Sequence, residues 1–280
     1  MNLHRIKNQI VKYLATYIPE LQESQFSFSI TQLKSRKNLV YEINFEKKPK
    51  NVPKNVILKL FRTEYWKNEL DTLKKLQAQN LLVPKILYYE DSYLLLEKIE
   101  GVNLCDYINR PLVRSNQLND LNLDLKENVL KAIKALAGWI ATFHAKNLIE
   151  KRSISEILVL NKGDTRLRDF IFNEKQNTIY GVDFEETYVG NHVDDLAWIC
   201  CSLLDTSPGI FELSEPYHKI ELINLFLREY YNRNDDFYFS FNYFAEKLIE
   251  YLNLVIERRP NLEIGPLRKQ NILRKISKGI

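Results

Sequence analysis

The chain has 280 residues, enough for one large domain or two lobes around a sizeable core, and 45% apolar against 27% charged residues excludes a disordered or low-complexity chain. Its net charge of +4 gathers at one end, where seven Lys or Arg stand against two Glu between residues 257 and 280; the remainder is near neutral and lacks the general basic face of a nucleic-acid binder. Cys105, Cys200 and Cys201 show no C-x-x-C spacing and no disulfide framework, which fits a reducing, cytoplasmic setting, and the apolar runs are too short to span a bilayer, so neither nucleic acid nor membrane is an expected partner.

At the N-terminus Ile6, Ile10 and Leu14 are spaced as one helix face without the apolar core of a cleavable leader, which predicts a docked helix. Residues 26 to 61 hold three β-rich runs, "FSFSITQL", "NLVYEINF" and "NVILKLF", separated by Lys, Asn and Pro clusters that suit turns. "TEYWKNELDTLKKLQAQN" then places Leu70, Leu73 and Leu76 at helical spacing, and "KILYYE" and "SYLLLEKI" follow as further strands. After "EGVN" the pattern turns helical: "NVLKAIKALAGWIATFHAK" puts Ile133, Leu136, Ile140 and Phe143 on one stripe, and helices are predicted over 192–205, 217–231 and 240–256. The change near Gly101 predicts an α+β chain with a small, sheet-rich antiparallel lobe over 1–100 and a larger helical lobe over 101–280.

The stretch "KGDTRLRDFIFNEKQNTIYGVDFEE", residues 162 to 186, sets Asp164, Asp169 and Asp183 beside short strand-like runs. If the strand edges gather them, two carboxylates about 5 Å apart repel by about 3 kcal/mol at an effective dielectric of about 20. Either one carboxyl is protonated or a cation sits among them, and a hard divalent ion is the usual answer to oxygen ligands. Mg²⁺ bound through a few carboxylates commonly takes phosphate oxygens as its remaining ligands, which directs attention to phosphoryl transfer.

Six fragments in order resemble the aminoglycoside phosphotransferase and choline kinase-like group of the protein kinase-like fold: "VILKLF", "KNELDTLKKL", "YLLLEKIEGVNL", "FHAKNL", "KGDTRLRDF" with "YGVDFEE", and "GNHVDDLAW". The resemblance runs from about residue 33 to 204 and implies a two-lobed kinase-like fold, with a nucleotide-binding first lobe and a second lobe carrying catalytic loop and substrate pocket. It implies Asp164 at the catalytic base position, Asp183 as principal metal ligand and Asp169 at the second metal position. Lys59 is then the phosphate-contacting lysine, Glu69 its helix partner, and Asp195 the holder of the catalytic loop's backbone. ATP or GTP with Mg²⁺ or Mn²⁺ would be the cofactors, and a small molecule with a hydroxyl group the partner.

Three departures from the family pattern stand out. Lys162 replaces its histidine, Asp169 replaces its asparagine, and no glycine precedes Gly101. The phosphate-covering loop, matched to "TQLKSRKNLVYEI", therefore lacks the residue that lets backbone N–H groups approach phosphates, and Ser35, Arg36 and Lys37 would have to supply side-chain contacts instead. Two readings follow. One is a small-molecule kinase; the other is a nucleotide-binding pseudokinase or scaffold that kept the fold without turnover. His144, on the stripe of its helix, is expected to be a hydrogen-bonded core histidine.

Overall fold

The computed structural model describes all residues except 1, 2, 23–26, 36, 154, 155, 260–265 and 280. The chain divides into two compact units, Met1–Ala78 with Val83–Ile99, and Gln79–Leu82 with Glu100–Ile280.

In the first unit, helix α1 (Leu3–Leu14) precedes strands β1 (Phe28–Leu33), β2 (Leu39–Phe45) and β3 (Asn55–Leu60), then helix α2 (Trp66–Ala78) and strands β4 (Ile86–Glu90) and β5 (Tyr93–Glu97). The strands form one antiparallel sheet in the order β1-β2-β3-β5-β4. Alternation along β2 and β3 sends Tyr41, Ile43, Phe45, Val56 and Leu58 to one side, where they join Ile10 and Leu14 of α1 in a shared apolar core. The spacing of Leu70, Leu73 and Leu76 buries that face of α2, as its periodicity predicts.

The second unit begins with strand β6 (Val102–Asn103) and helix α3 (Leu104–Leu112), followed by the long helix α4 (Leu123–Lys146). The Asn122 side chain caps α4 by accepting from the Leu125 N–H, and Ile133, Leu136, Ile140 and Phe143 are fully buried along its stripe. Strands β7 (Leu148–Ser153) and β8 (Glu156–Asn161), then β9 (Phe170–Asn173), β10 (Thr178–Gly181) and β11 (Tyr188–Asn191), make two small antiparallel sheets, ordered β10-β9-β6 and β11-β8-β7. Helix α5 (His192–Asp205) is buried at every position, and α6 (Tyr217–Tyr231), α7 (Phe241–Glu257) and α8 (Pro266–Ser277) complete the unit.

The helices over 192–205 and 217–231 lie where periodicity places them, and the third is displaced by a single residue. Five elements are not among those the sequence predicts: α3, whose run contains Pro111, α8, and β6, β7 and β11. β6 is two residues long, and β11 contains a glycine and an asparagine, so neither carries a strand-like apolar alternation. Pairing with neighbours makes them strands. Among the described residues no helix is long and apolar enough to cross a membrane.

Candidate active site

In the first unit Lys59 lies on β3 opposite Val40 and Leu94, and Glu69 lies in the first turn of α2. The Lys59 Nζ donates to Glu69 Oε2 at 2.5 Å, with side chains 8% and 2% exposed. So short a buried pair is held by more than surface chance: each charge has left water, and each needs the other. Lys59→Ala and Glu69→Ala are therefore expected to be non-additive, with a coupling of about 1–3 kcal/mol in a double-mutant cycle followed by urea unfolding. Additive losses would mean that the pair does not interact.

The loop matched to phosphate covering joins β1 to β2, whose last register pair on that side is Leu33 with Val40. Ser35 and Lys37 are both exposed there, and Ser35 Oγ accepts from the Asn38 N–H at 3.3 Å. Arg36 lies outside the described residues.

In the second unit, the loop 162–169 joins β8 to β9 and turns on Asp195 of α5. The Asp195 carboxylate, fully buried, accepts from the Lys162 N–H at 2.7 Å and the Gly163 N–H at 3.1 Å, from the Thr165 hydroxyl, and lies 3.2 Å from His144 Nε2. Burial alone would raise its pKa, but the His144 contact, the Thr165 hydroxyl and the Lys162 N–H outweigh burial and hold it below the ordinary value. His144 places its other nitrogen 2.8 Å from the Tyr230 hydroxyl, so it is a core histidine that positions Asp195. Gly163 has φ +73°, and a Cβ there would stand 2.2 Å from the Glu186 carbonyl oxygen, so the turn admits glycine alone.

This turn presents Asp164 at φ +34°, 22% exposed, with Oδ1 accepting from Arg166 Nε at 2.9 Å and Oδ2 lying 3.9 Å from Arg258 Nη1. Arg166 rests over the Trp198 ring at 5.0 Å, and Trp198 stacks on Tyr251 at 4.0 Å. Burial opposes the charge on Arg166, and Asp164 beside it more than offsets that cost, leaving the guanidinium pKa raised.

Asp169 closes the loop, accepting from the Arg166 N–H at 3.0 Å. Asp183 follows β10 at φ +66°, a left-handed position that Asp and Asn tolerate better than most residues, and its side chain is exposed. The two carboxyls are within electrostatic reach. Asp169 is pushed up to about 6 by burial first, with Lys162 opposing the rise and Asp183 adding to it. A cation from the protein itself also stands beside Asp169. The Lys162 side chain, 1% exposed, donates from Nζ to the Asp183 carbonyl at 2.7 Å and lies 3.8 Å from Asp169 Oδ2. The two departures are thus neighbours, a lysine beside an aspartate, with opposite charges.

Because the folded-state pKa of Asp169 lies above its reference value of 3.8, the fold favours the protonated form; that stabilisation is fully present below about pH 4 and is lost as pH rises through about 6. Asp169→Asn is neutral at every pH and still offers an oxygen to the Arg166 N–H. The variant without metal should be more stable than the parent by roughly 1–3 kcal/mol at pH 8, with the difference vanishing near pH 4. Melting curves across this range test it; a variant less stable at pH 8 would mark Asp169 as a structural turn residue.

Glu185, two residues after Asp183, was not singled out by sequence. It is 5% exposed, and its carboxylate oxygen lies within 4.8 Å of one on Asp183. The second acid of "DFEE" was the available signal. Asp183 and Glu185 thus bring two carboxylates together, oxygen donors of the kind that fit a hard divalent cation. Arg166, two residues after Asp164, was legible as a neighbour, whereas Arg258 was not, because nothing in sequence links α7 to this loop.

No known family model matches the chain. An uncharacterized protein of Haemophilus influenzae is 33% identical over 115 residues, covering 41% of this chain and 43% of that protein, so the match spans under half of its relative. Among solved structures, choline kinase LicA of Streptococcus pneumoniae superposes with a TM-score of 0.57 at 16% identity, covering 98% of both chains. Aminoglycoside-3'-phosphotransferase of type VIII gives 0.55 at 12% identity over 98% of this chain and 99% of that one, and amicoumacin kinase hAmiN, in complex with AMP-PNP, Ca²⁺ and Ami, gives 0.54 at 15% over 99% and 96%. The chain has the two-lobed protein kinase-like fold. Its form is the one found in choline kinase and aminoglycoside phosphotransferase structures.

Proposed function

We propose that the chain is a phosphotransferase that moves the γ-phosphate of ATP or GTP to a hydroxyl of a small molecule. The observation that carries this reading is the loop at Asp195, which fixes Gly163 and Lys162 by their backbone N–H groups and carries both Asp164 and Asp169, the latter within electrostatic reach of Asp183. Asp164 Oδ1 is engaged by Arg166, and Oδ2 is the oxygen that orients and receives the acceptor's hydroxyl proton. The acceptor oxygen forms the new bond to phosphorus as the bond to the leaving diphosphate oxygen breaks; the electron pair leaves with the nucleoside diphosphate, and the proton passes by way of Asp164 to solvent. Lys59, oriented by Glu69, contacts nucleotide phosphates, and Ser35 and Lys37 offer side-chain contacts in place of glycine backbone. Asp183 and Asp169, with Glu185, would hold Mg²⁺ or Mn²⁺, which when bound neutralises charge on phosphate oxygens. AMP-PNP and Ca²⁺ in the amicoumacin kinase structure support a nucleotide with a divalent ion.

The alternative, a nucleotide-binding pseudokinase or scaffold, is favoured by one observation: the β1–β2 loop contains no glycine. Purified protein with Mg²⁺ and ATP or GTP separates the two. Slow nucleoside diphosphate release that disappears in Asp164→Asn supports the enzyme, and nucleotide binding without any release supports the scaffold.

A further inference from the structure

We propose that the acceptor carries an anionic group, a phosphate or a carboxylate, received by Arg166 and Arg258 beside the hydroxyl held at Asp164. This rests on the phosphotransferase reading, since the hydroxyl must reach Asp164 for the reaction to occur. Whatever surrounds the Asp164 carboxylate then faces the acceptor.

What surrounds it is cationic. Arg166 lies on one oxygen at 2.9 Å and Arg258 3.9 Å from the other. Arg259, the next residue, binds Asp205 by Nη2 to Oδ2 at 2.9 Å and by Nη1 to the carbonyl at 3.1 Å. Arg166, Asp164, Asp205 and Arg259 share one neighbourhood, because the buried Cys201 thiol, pushed up by burial first, feels all four, and Arg258 joins it through Asp164. Three guanidinium groups thus meet two carboxylates, Asp164 and Asp205, each already bonded through one oxygen to a guanidinium.

Two features separate this arrangement from a solvated helix end. Arg166 is 11% exposed, is fixed on the Trp198 ring, and has a buried Nη2 that meets no hydrogen-bond partner among the described residues. Arg258 follows the last turn of α7, where a cation suits the helix dipole; the dipole does not require its guanidinium to turn toward Asp164. Its side chain is 47% exposed and lies beyond hydrogen-bond reach of Asp164, so its planar donors stay open to a phosphate or carboxylate, which guanidinium recognises in a bidentate way. A cationic amino alcohol brought to Asp164 would meet these guanidinium groups at close range and be repelled.

The test uses the full chain, Mg²⁺ and γ-labelled ATP with a charge-graded set: glucose, glucose 6-phosphate, gluconate and choline. In parallel, thermal shift is measured with inorganic phosphate, glucose 6-phosphate and gluconate. The expected result is stabilisation by an anionic compound, with glucose 6-phosphate against gluconate telling phosphate from carboxylate, and label transfer, where it occurs, at least about tenfold more efficient to an anionic than to a neutral acceptor. Arg258→Glu should abolish the anion effect, Arg258→Ala should weaken anion affinity about tenfold, and Arg258→Lys should restore part of it. Preferred transfer to choline or glucose, or no response to any anion in the parent, overturns the proposal. Acceptor-independent diphosphate release reports on the phosphotransferase reading separately: release without any anion response sinks this inference alone, and nucleotide binding with no release under any condition sinks the underlying reading.

Discussion

Asp164→Asn is expected to lower phosphoryl transfer by about 10²–10⁴-fold while leaving nucleotide affinity within about twofold of the parent. Asparagine is the informative replacement because the backbone at 164 has φ +34°, a left-handed conformation that Asn adopts readily and that would strain Ala. Its amide oxygen can still accept from Arg166 Nε, so the loop keeps its shape. The missing function is an anionic oxygen for the acceptor's hydroxyl proton. On the proposed mechanism the group acts on the hydroxyl and not on the nucleotide, so kcat should fall with little change in the nucleotide KM. A variant that turns over at the parental rate would remove Asp164 from the reaction, and one that loses nucleotide binding as well would mark it as part of the nucleotide site.

The second large effect is structural. Asp195→Ala is expected to destabilise the second unit by about 3–5 kcal/mol, seen as a melting temperature lower by roughly 10 °C. The methyl group replaces a fully buried carboxylate that serves the Lys162 and Gly163 N–H groups, the Thr165 hydroxyl and His144, and no water can reach the stranded donors without opening the core. Asp195→Asn keeps one acceptor oxygen and should lose less. Asp195 also sets part of the acid limit of the fold. Its folded-state pKa lies below the reference value of 3.8, so its stabilisation is present above that pH and is lost as pH falls further. The Asn variant should show a shallower stability loss below about pH 4. Equal stability of Asp195→Ala and the parent would mean that the loop is held by other contacts.

The two predictions separate neighbouring aspartates with different duties. Asp164 is partly exposed with one oxygen open, whereas Asp195 has both oxygens engaged and no exposure. Activity should respond to both, stability chiefly to Asp195. A variant series measured by melting and by turnover tells a group that meets substrate from a group that positions it.

The sequence by itself determined the elements whose faces are regular: the β2 and β3 alternation, the leucines of α2 and the stripe of α4. In these, side-chain periodicity matches backbone periodicity, and burial of one face follows from local order. It also marked Asp164, Asp169 and Asp183 by their place beside short strand-like runs, while Lys59 and Glu69 were implied by the resemblance of their fragments to the phosphotransferase group. Only tertiary structure decided what each of them touches. Lys162 and Asp169 are seven positions apart and read separately as departures, yet the fold turns the loop so that a buried ammonium stands 3.8 Å from the carboxylate. Arg258 reaches Asp164 from the far end of α7 for the same reason. Charges interact through space and not along the chain, so the partner of a buried carboxylate is set by helix packing, which local sequence does not encode.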